Sequence, residues 1–308
     1  MAPAELRTVS VLPLRVLLLL SLFSATDVAT AAPLKFGINY GQIANNLPHP
    51  TQVSGLLQSL NVNRVKLYDA DPAVLTAFAG TGVEFIVGNE DLQNLSDARS
   101  ARAWVAQHVQ PFIPGTRITC IIVGNEVLGK DPVGSQNLLP AMQAVYQAVS
   151  ALGLAGQVNV STAHSVNVLA SSYPPSSGVF REEVAQFMQP ILNFLAEVGS
   201  PFLINAYPFF AYKASPGSVS LPYVLFEPNP GVPDVPVDVF VFALFNEDMK
   251  PGPASERNYG LFYPNGTPVY NLGFDGASFS PSPYSSSSKL TITFLMAVVV
   301  VLLASFFL

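Results

Sequence analysis

One cysteine in 308 residues, Cys120, leaves no partner for an intrachain disulfide. It lies inside an apolar run, where a buried and inert thiol is expected rather than a nucleophile. Histidine is almost as scarce. His49, His108 and His164 are scattered without ligand spacing, so no metal site is expected. Charged residues make up 11% of the chain, the net charge is −6 and no run of Lys or Arg occurs, so nucleic acid is not an expected partner. Glycine-rich turns that lead into a helix with a Lys, the features of a phosphate cradle, are missing too. No cofactor is expected.

Apolar sequence is concentrated at the two ends. Arg7 and Arg15 accompany a nearly unbroken apolar run, Val16 to Phe23, followed by the small residues Ala29-Thr30-Ala31-Ala32. That layout predicts a secretory signal peptide over residues 1–31. The alternative, an anchor that stays in place, needs a run of about 20 residues. At the other end Leu290 to Leu308 is almost wholly apolar, preceded by a Ser- and Pro-rich spacer within residues 276–289. With the small residues Gly276, Ala277 and Ser278 ahead of the spacer, this predicts GPI attachment at one of those three and loss of the tail 290–308. A single-pass helix is the alternative. Sequons stand at Asn94, Asn159 and Asn265. Asn94 and Asn265 are expected to carry glycans, and Asn159 is not, because it falls in a predicted strand.

Between the ends lies one domain, residues 32–275, in which short β-rich runs alternate with helical patterns. The predicted strands are Lys35–Tyr40, Arg64–Tyr68, Glu84–Val87, Ile118–Val123, Gln157–Thr162, Phe202–Ala206 and Val237–Leu244. Most are continuously apolar, as parallel strands buried on both faces are. Helices are predicted at Thr51–Ser59, Ala73–Ala79, Leu95–Gln110, Asn137–Leu152 and Arg181–Val198. The last carries an apolar stripe, Val184, Phe187, Met188, Ile191, Leu192 and Leu195, which reads as core packing. Strand–helix repetition at this length predicts an α/β fold, the (β/α)8 or TIM barrel. The pattern fails once. Tyr207 to Pro236 is dense in Pro, Gly, Ser and Asn, has no helical period, and leads to the seventh predicted strand where a barrel has eight.

Barrels of this type place their reacting groups at the carboxyl ends of the strands. Those ends read Asn39-Tyr40-Gly41, Tyr68-Asp69, Gly88-Asn89-Glu90, Gly124-Asn125-Glu126, Thr162-Ala163-His164, Asn205-Ala206-Tyr207-Pro208 and Phe245-Asn246-Glu247. Carboxylates, amides and tyrosines together suit a sugar-cleaving cleft, with acid, base or nucleophile work falling to the carboxylates.

Seven segments carry a more specific likeness: Lys35-Phe-Gly-Ile-Asn-Tyr-Gly41, Val65-Lys-Leu-Tyr-Asp69, Val87-Gly-Asn-Glu90, Ile122-Val-Gly-Asn-Glu126, Asn205-Ala-Tyr-Pro-Phe-Phe210, Phe242-Ala-Leu-Phe-Asn-Glu247 and Tyr259-Gly-Leu-Phe-Tyr263. In order, they resemble plant glycoside hydrolase family 17, in particular its GPI-tailed branch. The resemblance implies a retaining endo-β-1,3-glucanase that cleaves internal linkages of callose-type β-1,3-glucan. It also implies a monomer on the outer face of the plasma membrane, held by its GPI lipid and facing the cell wall. Glu126 then resembles the general acid/base and Asn125 the neighbour that bonds the sugar 2-hydroxyl. Tyr40, Tyr68 and Tyr207 look like cleft residues, and Glu247, Lys250 and Glu256 like the charged cluster after the last strand. An ion-pair network on the rim is the other reading of that cluster.

One family feature has no counterpart. The nucleophile is a Glu in a Ser-Glu-Thr-Gly-Trp-Pro-like motif on the seventh barrel strand, and this sequence holds no such motif; its one tryptophan, Trp104, lies in a predicted helix. The similarity runs from Leu221 to Val232 directly into Pro233-Asp-Val-Pro-Val237, which in relatives leads into the final strand. A helix, a strand and a second helix drop out at the 232–233 junction, roughly 60–80 residues if a βα unit takes about 30 or more. The barrel is therefore expected to be incomplete, with unpaired strand edges or reclosure as seven strands. The alternative to an enzyme is a non-catalytic surface protein that binds β-glucan.

Overall fold

A computed structural model describes residues 36–172, 175–219, 238–269 and 300–304. The expected signal segment, the 232–233 junction, the spacer and the residues Gly276, Ala277 and Ser278 lie outside them. All seven expected strands are present: β1 (Phe36–Asn39), β2 (Arg64–Lys66), β3 (Glu84–Asn89), β4 (Arg117–Asn125), β5 (Asn159–Ser165), β8 (Phe202–Ala206) and β9 (Asp238–Val241). A two-stranded hairpin, β6 (Leu169–Ser171) with β7 (Val179–Phe180), interrupts the series after β5. The seven pair in parallel around a curled sheet, β1-β2-β3-β4-β5-β8 with β9 returning to β1.

The TIM-barrel-like sheet is incomplete by one parallel strand, as expected, and only the filling of the gap differs from the expectation of an open or seven-stranded sheet. A further strand, β10 (Val300–Ala304), stands between β8 and β9 and pairs antiparallel with both, so the barrel closes with eight members. This strand belongs to the apolar tail, whose other residues lie outside those described. Among the described residues no helix is long and apolar enough to cross a membrane.

Capping explains where the helices begin. Twice an Asp-Pro pair follows a strand: Asp71 caps α2 (Pro72–Ala77) by accepting from Val74 N, and Asp131 caps α5 (Pro132–Ala151) by accepting from Val133 N. Proline at the first helical position loses no hydrogen bond, and the carboxylate satisfies an orphan N–H. α1 (Pro50–Ser59) opens with His49 and Gln52 in a capping box. The single helix expected over Leu95–Gln110 is two, α3 (Leu92–Leu95) and α4 (Ala98–His108), because Asp97 caps a new start by accepting from Ser100 N. α6 (Glu182–Val198) ends on Gly199, whose φ of 66° is one that other residues adopt only with strain. The stretch after β8, read as lacking any helix, begins with α7 (Pro208–Ala214). Two turns are too short to show a period.

The strands bury both faces, as their apolar runs require. Val65, Phe85, Val87, Ile121, Val123 and Val160 join the large core, which also takes in buried residues of the helices. Ile86, Cys120, Ile122, Ala163, Leu203 and Phe240 form a separate cluster, as interior positions of a filled barrel do. Cys120 is buried as expected, and burial pushes its thiol up to about 12, which leaves it inert. Gly37 of β1 is required by packing. A Cβ there would stand 2.5 Å from the Phe240 ring. The Arg64 guanidinium covers that ring at 4.9 Å while pairing with Glu84 at 3.1 Å and Asp238 at 2.9 Å.

Candidate active site

Glu126 follows the last residue of β4 in a backbone conformation unusual for a side-chain-bearing residue, φ 56°. Its N–H donates to Ala163 O at 2.8 Å, which pins the turn to β5. Three donors converge on the carboxylate. Asn205 Nδ2 at 2.8 Å and the Tyr207 hydroxyl both donate to Oε1, and Lys130 Nζ donates to Oε2 at 2.5 Å. β8 supplies Asn205, the residue that caps α7 supplies Tyr207, and Lys130 lies four residues along the chain. Burial alone would push the Glu126 carboxyl up, but the hydrogen bonds from Lys130, Tyr207 and Asn205 outweigh it and hold it below the usual value. Asn125 stands beside it, its Oδ1 accepting from Asn205 Nδ2 at 3.3 Å.

A second group faces this one. Asn39 Nδ2 donates to the Tyr68 hydroxyl at 3.2 Å. Lys66, 1% exposed, sets its ammonium 3.9 Å from the Tyr68 ring centroid. Burial pulls the Lys66 amine down to about 8, while Glu90 and Glu126 hold it up. Burial raises the Tyr68 hydroxyl, with Glu247 and Glu126 adding to the effect. Lys66, Tyr68, Glu90 and Asn125 line one hollow. Glu90, at the end of β3, moves opposite to Glu126. Burial raises its carboxyl, the charge of Lys66 opposes that, and the charge of Glu126 adds to it.

Of the expected site residues, Glu126, Asn125, Tyr68 and Tyr207 come together. Tyr40 is not brought to them: its ring is 1% exposed and packs edge-on against Phe245, 6.0 Å between centroids. Glu247 is 3% exposed and accepts from Ile43 N at 2.9 Å, with Lys250 Nζ 3.6 Å away. Glu247 and Lys250 therefore join the loop after β1 to the segment after β9. Lys250 also lies 3.9 Å from the Phe242 ring, which meets Tyr68 edge-on. Glu256, half-buried in a short turn at Ala254–Arg257, contributes charge near Tyr207. Sequence reasoning placed Asn205 at a strand end without giving it a role, and passed over Lys66 and Lys130 as site residues. The i,i+4 spacing of Lys130 from Glu126 was the one available signal. Of the expected glycan sites, Asn265 is exposed in a turn where its Oδ1 accepts from Thr267 N, whereas Asn94 Nδ2 donates to Asp91 at 2.6 Å.

Carboxylate, amide and hydroxyl groups at the carboxyl ends of parallel strands can bind a sugar ring and move one proton. Comparison with known proteins agrees with that chemistry. The profile described as Glycosyl hydrolases family 17 matches residues 36–234 and 228–274. The chain is 45% identical, over 340 aligned positions, to Glucan endo-1,3-beta-glucosidase 14 of Arabidopsis thaliana, covering 84% of this chain and 86% of that one. It is 41% identical to Glucan endo-1,3-beta-glucosidase 11 of the same plant, covering 77% and 75%. Among solved structures, the β-1,3-glucanase and allergen CJP38 of Cryptomeria japonica pollen superposes with a TM-score of 0.71 at 31% identity, covering 78% of this chain and 99% of that one.

Proposed function

The chain belongs to glycosyl hydrolases family 17, and on that premise we propose that its cleft receives β-1,3-glucan and acts on internal 1,3-β-glucosidic linkages, with Glu126 as the acid/base. The observation that carries this reading is the convergence of Asn205, Tyr207 and Lys130 on Glu126 with Asn125 beside it. In a retaining mechanism the acid/base protonates the departing glycosidic oxygen and later deprotonates the incoming water, while a carboxylate about 5–5.5 Å away attacks the anomeric carbon. Asn125 is placed to bond the 2-hydroxyl of the ring being cleaved, and Tyr68 and Tyr207 to shape the cleft.

A second reading has its own support. The profile match breaks over residues 228–234, where the sequence places the junction. The 45% alignment covers 84% of 308 residues, about 259, so roughly 80 of its 340 positions face gaps in this chain. In the barrel, the place beside β8 is held by Val300–Ala304, which has no carboxylate. On this reading the chain binds β-1,3-glucan without turning it over. The apolar ends and sequons support delivery to the cell surface, GPI attachment near Gly276 to Ser278 and glycosylation at Asn265 and Asn94.

Affinity electrophoresis in laminarin gels and reducing-sugar release separate the two readings. Turnover lost in Glu126→Gln supports the hydrolase, and retardation without turnover supports the binder. Absence of both sinks the glucan assignment. Sequencing the transcript across Val232–Pro233 tests the junction itself.

A further inference from the structure

We propose that Asn159, at the base of the barrel, carries an N-linked glycan, so that the protein presents carbohydrate on the end opposite its cleft. This rests on the reading that the apolar ends deliver the chain through the secretory route.

Asn159, Val160 and Ser161 form an Asn-X-Ser acceptor. A strand argues against such a site only where it encloses the Asn. β5 encloses six of its seven residues: Val160 to Ser165 are buried, and Asn159 alone is exposed. Pairing explains the difference. Asn159 has Cys120 of β4 beside it, whereas the ladder to β8 begins at Ala163. The approach is open as well. The connection from α5 passes through Ala155, Gly156 and Gln157, all exposed. A Cβ built on Gly153 or Gly156 would meet nothing beyond its chain neighbours within 4 Å. Among the described residues the Asn159 amide side chain has no hydrogen-bond partner, so bonding a sugar to it breaks no contact.

The hydroxyl half of the acceptor sets the moment of attachment. Ser161 is 0% exposed, and its Oγ donates to Pro201 O at 2.6 Å. Once that bond forms, the hydroxyl is enclosed while Asn159 stays outside. Transfer therefore precedes the docking of β8, on an extended chain, and Pro201 is made 40 residues later. The donor is an oligosaccharide on a lipid pyrophosphate. Asn159 Nδ2 bonds to C1 of its first sugar, the C1–O bond to the pyrophosphate breaks with the electron pair staying on that oxygen, and the amide gives up one proton to the medium.

In the folded protein Asn159 lies four residues before Ala163, whose carbonyl holds the Glu126 turn. At about 3.3 Å per residue the separation is about 13 Å along the strand, toward the end away from the cleft. A glycan there covers the base and leaves the cleft open to a polymer.

The test translates the full chain with microsomes and treats it with endoglycosidase H, which leaves one N-acetylglucosamine on each occupied Asn. The tryptic peptides Leu67–Arg99, Asp131–Arg181 and Asn258–Lys289 then report Asn94, Asn159 and Asn265 separately by mass. One N-acetylglucosamine is expected on Asp131–Arg181, lost in Asn159→Gln and in Ser161→Ala and kept in Ser161→Thr. The occupied chain and Asn159→Gln should be digested by a protease at the same rate. Sugar at Asn94 or Asn265 with a bare Asn159 overturns the proposal alone. Three bare asparagines overturn it together with the export reading. Faster digestion of the occupied chain than of Asn159→Gln overturns the placement, since the glycan would then obstruct the fold.

Discussion

Replacing Gly41 by Ala tests how the loop after β1 is held to the end of the barrel. A Cβ built at Gly41 falls 2.4 Å from Glu247 Oε1 and 2.6 Å from its Cδ and Oε2. The backbone there lies outside the left-handed region, so the cost is the contact itself. Restoring van der Waals separation moves the carboxylate by about 1 Å. The bond from Ile43 N, now 2.9 Å, then exceeds hydrogen-bond length. Water cannot replace it, since Glu247 is 3% exposed. Losing a hydrogen bond to a buried charge costs about 1.5–3 kcal/mol and overpacking about 1–3 kcal/mol; both arise from one displacement, so the expected total is roughly 2–4 kcal/mol. Urea unfolding should show a lower midpoint with an unchanged slope. Glu247→Gln keeps an oxygen for Ile43 and loses only the charge toward Lys250, so it should cost less. A loss below about 0.5 kcal/mol in Gly41→Ala, or a larger loss in Glu247→Gln, would refute the reasoning.

His164 is buried with no partner for either ring nitrogen among the described residues, and burial pushes it down to about 4. Below about pH 6.5 the unfolded chain takes up a proton that the folded chain refuses, so stability should fall between about pH 6.5 and 4 and be level above. The fall is on the order of 2–3 kcal/mol, and His164→Leu should remove it; the same slope in both proteins, measured by urea unfolding across that range, would show that other groups cause it. Arg64→Met leaves the carboxylates of Glu84 and Asp238 without their shared guanidinium. Breaking a buried pair costs about 3–5 kcal/mol, and the low end is expected because Arg117 still reaches Glu84 at 3.1 Å; a thermal midpoint within a degree or two of the parent contradicts this.

The parallel strands were legible because burial on both faces leaves nothing polar until the chain reaches the cleft. For the same reason their ends stood out, and Glu126 with them. The unexpected helix start at Asp97 came from a cap that interrupts an otherwise continuous apolar period. Tyr40 was misplaced in the cleft for a similar reason: a strand-end tyrosine is polar by type, and its edge-on contact with Phe245 has no local signature. Nor does sequence order reveal that Lys66 is buried beneath Tyr68, or that Glu90 and Glu126 are driven in opposite directions. Those depend on charges brought together from β2, β3 and β4. β10 was hidden by composition. Nineteen residues, all but three of them apolar, read as a membrane-length tail, and the two strands that pair with five of them, β8 and β9, lie about 60 to 100 residues upstream.

That last strand also sets a timetable. β1 to β8 pair in the order in which they are made, and β9 can join β1 as soon as it appears. The remaining opening waits for Val300–Ala304, which follow every other strand among the described residues. A nascent polypeptide thus carries two unsatisfied parallel edges, β8 and β9, until its last residues are made, and such edges are open to pairing with another chain. Any processing that removes residues 300–304 returns the mature protein to that state, so sealing the barrel and trimming its tail are mutually exclusive fates of the same five residues.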